Sequence, residues 1–148
     1  MMSAPLSLEK LLYDLVQVEA QRDYRQDPDE GADFELALKL GARQVDEDDP
    51  AVWNVVLVIE IPRAEGKPVP PYVVKLSCWS MFRLHDSAMA EEDARRLVWV
   101  TGGSIVYSMA REYLAMLTAR GPWGPYFLPT ISLRGSQPAT DEGQPAPP

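Results

Sequence analysis

Cysteine and histidine are almost missing from this chain: it has one of each, Cys78 and His85. A single thiol cannot close an internal disulfide, and one thiol with one imidazole cannot build a Cys/His zinc site, so no metal or cofactor is expected. The scarcity of cysteine fits a reducing compartment, and the cytoplasm is the expected location. Positive charge is also in short supply. Lys and Arg number 14 against 22 Asp and Glu, a formal balance of −8. An acidic surface repels phosphates, so nucleic acid is not an expected partner, whereas basic or unfolded polypeptides are. No apolar run approaches the roughly 18 residues needed to cross a bilayer. The first ten residues also lack the basic head and apolar stretch of a secretory signal, so neither membrane insertion nor secretion is expected.

What is present suits one domain. The chain has 148 residues, 46% of them apolar, enough to bury roughly 68–70% of the surface an unfolded chain of this length exposes. Proline and glycine divide it. Residues 134–148 carry Pro138, Pro145, Pro147 and Pro148 with almost nothing apolar and read as a disordered tail, leaving residues 1–133 as the folded domain. From Ser7 the pattern is mixed, since Leu8, Leu11, Leu12 and Leu15 fit a helical face while Val16, Val18 and Ala20 alternate. A short helical or irregular start turning into a strand near Asp14 is expected. Asp27 to Asp33 is an acidic loop.

The next segments alternate clearly. Phe34, Leu36, Leu38 and Leu40 lie on one face of a strand. After the acidic turn from Asp46 to Pro50, a second strand places Trp53, Val55, Leu57, Ile59 and Ile61 on one face, with Val52, Val56, Val58, Asn54 and Glu60 on the other. A proline-rich loop from Arg63 to Pro71 leads to a third, where Val74, Leu76, Cys78, Phe82 and Leu84 oppose Lys75, Ser77, Trp79, Met81 and Arg83. Short links imply antiparallel neighbours. Two helices follow, the first capped by Ser87 with Glu91, Glu92 and Asp93 in its early turns. It stops near Thr101-Gly102-Gly103, and the second begins around Ser104, with Val106, Ala110, Tyr113 and Leu117 on its buried stripe and Gly121-Pro122 as its stop. Strands first and helices last make an α+β domain: a four-stranded antiparallel sheet with two C-terminal helices packed on one face.

Catalytic candidates are few. On one regular strand Cys78 and His85 point to opposite faces about 23 Å apart and cannot cooperate; Cys78 reads as a small buried hydrophobe. Gly102-Gly103-Ser104 lacks the lysine and spacing of a phosphate-binding loop. Glu60, the one carboxylate inside an apolar strand, is the candidate acid or base if the domain is a cavity-forming enzyme or small-ligand binder. The acidic loops favour a basic partner. A surplus of apolar residues on the second sheet face (Val52, Val56, Val58, Val73, Trp79, Met81) needs a cover, either an oligomer interface or an extended peptide.

The stretch Thr101-Gly102-Gly103-Ser104-Ile105-Val106-Tyr107-Ser108-Met109-Ala110-Arg111-Glu112-Tyr113, then Leu117-Thr118-Ala119-Arg120-Gly121 and Leu128-Pro129, resembles the C-terminal helix and following segment of SecB-type protein-export chaperones. It looks closest to the SecB-like chaperones associated with toxin-antitoxin modules. The resemblance covers roughly residues 12 to 133. Ser108-Met109 stand where the family usually has Pro-Tyr, so a thioether replaces an aromatic, and the first-to-second strand loop has Ala32 and Phe34 where many members carry a tryptophan.

The resemblance implies an ATP-independent holdase and not an enzyme, a homo-oligomer built as a dimer of dimers. It would hold unfolded polypeptides or preproteins in an apolar groove between helix and sheet. Partners would be the SecA export motor or one dedicated client such as an antitoxin. Phe34, Trp79, Tyr107, Met109, Met116 and Tyr126 are the expected client or subunit contacts, and Glu19 and Asp23 the expected acidic contacts to the motor. Adaptable aromatic and thioether contacts suit clients of varied sequence. Besides the Glu60 enzyme, a structural oligomerisation module without a client is the further alternative.

Overall fold

The computed structural model describes residues 4–26 and 34–136. Four strands come first: β1 (Leu6–Ala20), β2 (Ala37–Asp46), β3 (Asp49–Ile61) and β4 (Tyr72–Leu84). A helical run then joins α1 (Glu91–Leu97), a π-helical turn (Val98–Gly102) and α2 (Gly103–Thr118). The sheet is antiparallel throughout in the order β1-β4-β3-β2. With the helical run on one face, this is the expected α+β architecture. The acidic loop from Asp27 to Asp33, and residues 137–148 of the expected tail, lie outside the described residues.

The β2–β3 hairpin turns at Glu47-Asp48, where the Asp48 backbone N–H donates to the Asp46 carboxylate at 2.8 Å. That local bond is what an aspartate offers a tight turn. Alternation then divides the sheet into two faces. On the inner face Trp53, Val55, Leu57, Ile59 and Ile61 are at most 2% exposed, and the β4 residues Val74, Leu76, Cys78 and Phe82 are equally closed off. Burial pushes the Cys78 thiol up to about 12, so it stays protonated and unreactive.

β1 differs from expectation. It is a strand from Leu6 onward, paired along its length with β4, and has no helical start. Its register slips between Leu8 and Lys10 and again between Tyr13 and Leu15. Each β-bulge adds one residue and moves the following side chains to the other face. This is why Leu8, Leu11, Leu12 and Leu15 mimic a helical period.

The helical run also departs from expectation at three points. Ser87 does not cap it: the helix begins at Glu91 after Ala90, and no side chain caps the turn. Gly102-Gly103 is not a break, because Leu97, Val98, Gly102 and Gly103 all hold right-handed helical angles and the chain passes through without interruption. The glycines are there for close approach. A Cβ on Gly103 would lie 2.7 Å from Leu133 Cδ1 and 2.9 Å from Leu40 Cδ2. The buried stripe of α2 runs through Gly103, Val106, Tyr107, Ala110, Leu114, Ala115 and Thr118, so Leu114 takes the central position and Leu117 faces outward at 40% exposure. Tyr113 is half-buried and stacks on Tyr13 of β1 with ring centroids 4.4 Å apart.

Candidate functional site

Beyond Thr118 the chain contains Gly121-Pro122-Trp123-Gly124-Pro125 and cannot continue as a helix. It runs back alongside α2 as an irregular segment, fixed by hydrogen bonds in place of a ladder. The Tyr72 hydroxyl donates to the Gly124 carbonyl at 2.8 Å and accepts from the Trp123 backbone N–H at 3.2 Å. Gly121 must be glycine, since a Cβ there would overlap the Tyr72 ring. Thr118 Oγ1 accepts from the Tyr126 N–H at 2.8 Å, and Arg111 Nε donates to the Leu128 carbonyl at 2.7 Å. The Tyr107 hydroxyl donates to the Pro129 carbonyl, and Trp99 Nε1 donates to Ser136 Oγ at 2.9 Å. Leu128, 1% exposed, pins the middle into the core.

A track opens between this segment and the β2 side of the sheet. At one end a cleft of about 630 Å³ is lined by Tyr24, Phe34, Leu36, Tyr72, Trp123, Tyr126 and Phe127 among others. At the other, a cleft of about 460 Å³ is lined by Leu38, Leu40, Leu57, Trp99, Tyr107, Ile131 and Leu133 among others. Phe34, Leu36, Leu38 and Leu40 line the two clefts in succession, and as an extended run they span about 20 Å. Among the described residues β2 is an edge strand with β3 as its neighbour, and one row of its backbone N–H and C=O groups has no ladder partner there.

The walls are aromatic and aliphatic. Phe127 is 59% exposed and Trp123 39%, so large apolar side chains stand open to solvent at the cleft. Burial pushes the Tyr107 and Tyr126 hydroxyls above the usual tyrosine range, which keeps both protonated. At the mouth, Trp123 Nε1 donates to the Gln21 carbonyl at 2.9 Å and Tyr24 meets the same indole edge-on at 5.1 Å. A pocket of this kind holds apolar side chains by burial.

The structure sorts the residues singled out from sequence. Phe34 and Tyr126 meet in the first cleft with ring centroids 5.9 Å apart. Tyr107 lines the second while tethering the C-terminal segment. Met109 and Met116, 39% and 67% exposed, lie on the solvent side of α2, where Met116 borders a third cleft of about 490 Å³. Trp79 is not with them. Its registry with Val56 and Leu12 puts it on the sheet face turned away from the helix.

Glu19 is exposed at the end of β1, across from Val73. Asp23 holds Arg63 through two bonds of 2.6 and 2.9 Å. The guanidinium keeps the Asp23 carboxyl below its usual range, so it is an ionised but occupied group. Glu60 sits cross-strand from Lys75 on the outer face, away from the track. Four aromatics were missed from sequence: Trp123 and Phe127 had one visible signal, a Trp and a Phe set among prolines and glycines where no helix or strand could bury them, and Tyr24 and Tyr72 had none.

This geometry defines a SecB-like α+β fold. The likeness rests on the solved structure of the Mycobacterium tuberculosis Rv1957 SecB-like chaperone in complex with a ChAD peptide from the Rv1956 HigA1 antitoxin. It matches with a TM-score of 0.61 at 18% identity, over 86% of this chain and 91% of that one. A Streptococcus agalactiae protein of unknown function matches more loosely, with a TM-score of 0.44 and 10% identity over 84% of this chain and 97% of that one. No protein-family model and no curated protein matches the chain.

Proposed function

We propose that the protein is an ATP-independent chaperone that holds an extended, apolar polypeptide segment along the track between β2 and the C-terminal segment. The observation that carries this is the pair of clefts lined in succession by Phe34, Leu36, Leu38 and Leu40, with exposed aromatic side chains on their walls. A peptide bound to the neighbour of the same fold supports it. Burial of client side chains against Phe34, Tyr126 and Phe127 supplies the affinity, roughly 1.5–3 kcal/mol for each large side chain fully removed from water. The unpaired edge of β2 offers main-chain hydrogen bonds that any sequence can use. No bond is made or broken.

Within this proposal the client is a dedicated one, such as an antitoxin, because the neighbour of the same fold holds an antitoxin peptide. The open α2 face with Met109, Met116 and Leu117 is the proposed contact between subunits of a cytoplasmic dimer of dimers. Nothing in the site favours catalysis through Glu60. The test is suppression of aggregation of a slowly folding protein in the absence of nucleotide, together with the mass in solution. Suppression that is lost in Phe34→Ser/Phe127→Ser is the expected result. A monomer that leaves aggregation untouched would end the proposal.

A further inference from the structure

The outer face of the sheet is a second apolar surface, on the opposite side from the track. Cross-strand registry sets Leu12, Val56 and Trp79 side by side, with Val58 and Leu15 in the next row and Met81 in the row before. The Trp79 ring is held in place: with its oxygen toward the indole, the Asn54 amide accepts from Trp79 Nε1 at 3.2 Å and donates to the Ser80 carbonyl at 3.3 Å. Leu15 is 45% exposed and Leu12, Trp79 and Met81 are half-buried, while Val56 between them is closed over by its neighbours at 4%. No described element of the chain lies over them.

Charge around this centre runs against the rest of the molecule. Lys10 and Arg43 end the Met81 row, Lys39 ends the Val58 row, and Lys75 stands in the row beyond. Lys10 Nζ is 5.9 Å from the Trp79 ring centroid. None of these four cations has an ion-pair partner within 4.0 Å among the described residues. One carboxylate, Glu60, is in register with those four rows, and a second, Asp14, stands at the β1 edge in the bulge between Tyr13 and Leu15. Arg83, tied to Glu9 and Asp49, and Glu19 lie beyond them at opposite ends. A chain of formal charge −8 thus carries a cationic frame around its bare apolar centre.

We propose that this face docks an acidic amphipathic helix of a partner protein, with the helix's apolar stripe on Leu12, Leu15, Trp79 and Met81 and its carboxylates on Lys10, Lys39, Arg43 and Lys75. The four rows extend about 20 Å along the strands and the four strands about 14 Å across, the footprint of a helix of about four turns. A helix laid on a sheet face is the usual way such a face is covered. The same face of a second copy would bring cation against cation. Nucleic acid fits less well, because its phosphates need a continuous cationic path and here the middle is apolar. The occupant differs in charge from the basic partner that the acidic loops suggest, and the surface is independent of the track.

The test uses two labelled synthetic helices of about four turns with the same apolar stripe, one flanked by glutamates and one by lysines, titrated with the full-length protein by fluorescence anisotropy. The glutamate helix is expected to bind about tenfold more tightly, as several exposed charge pairs together would give, and to weaken as salt rises. The exposed double variant Lys39→Glu/Lys75→Glu is expected to reverse the preference with the circular dichroism unchanged, while Phe127→Ser leaves it intact. Equal binding of the two helices would overturn the proposal, and so would loss of binding in Phe127→Ser alone. Displacement of the glutamate helix by a single-stranded oligonucleotide, or self-association that the double variant abolishes, would assign the face to a different occupant and overturn it as well.

Discussion

The two faces of this sheet are made from alternate residues of the same strands, yet they end in different states. On β4, Leu76, Cys78 and Phe82 are at most 1% exposed, while their neighbours Trp79 and Met81 remain half-open. Apolar content does not separate the two sets. The difference is what lies above each: the inner face has the helical run and Leu128 pressed onto it, and the outer face has nothing from the described chain. Burial here belongs to the layer arrangement, and the same amino acid can stabilise the fold or recognise a partner according to its face.

The largest expected effect breaks the comparison if it fails. Phe82→Ala should cost about 3–5 kcal/mol, because the closed inner face cannot collapse around the void, whereas Met81→Ala one position away should stay within about 1 kcal/mol. Urea denaturation of the two variants measures both, and equal losses would mean that the faces are equivalent in solution. Next comes Gly121→Ala, expected to destabilise by about 1–3 kcal/mol through overpacking against Tyr72. Loosening of the C-terminal segment should show as a red shift in tryptophan emission as Trp123 leaves Gln21 and Tyr24.

Third, Phe127→Ser should weaken an extended apolar peptide by about tenfold through lost burial, with the thermal midpoint nearly unchanged because Phe127 is already 59% exposed, whereas Phe34→Ser should also lower the midpoint because Phe34 packs against the core. A loss of stability in Phe127→Ser would move that residue from the site to the core. The smallest effect is electrostatic. Arg63 lowers the Asp23 pKa in the folded state from its ordinary 3.8, so the pair's contribution is present at neutral pH and is lost as pH falls through 3.8 and then through the folded value. Both partners are exposed, so the gain is slight. The stability gap between the native chain and Asp23→Asn should shrink on acidification, and a gap that widens would contradict the sign.

The legible and illegible parts divide along physical lines. β3 and β4 could be read because strict alternation over many residues leaves one solution: the apolar set predicted for the core face of each is buried, though on β3 Asn54 and Val56 of the other face are closed off as well. β1 could not, because two bulges break the period that reports a strand. The glycine pair read as a break because glycine lowers helix propensity, but its position against Leu40 and Leu133 makes the missing Cβ a packing requirement. At the site, Phe34 reads as part of a core-facing strand and Tyr126 is named only through the resemblance; the structure sets both on the wall of the first cleft. Tyr24 and Tyr72 were not legible, since a tyrosine in a loop or at a strand start carries no local sign of what it will face. Trp79 was legible as surplus, and its separation from the track needed the registry.

By itself the sequence determined the α+β class, the alternation of β2, β3 and β4 and the lack of any second thiol for a disulfide, because these follow from period, composition and short-range turn chemistry. Only the tertiary structure decided that β1 pairs with β4 and not with β2, that the C-terminal segment folds back to wall a track, and that the surplus apolar residues form a separate cation-framed face. Those outcomes depend on contacts between residues far apart in the chain, and local propensity carries no information about which distant surface will arrive.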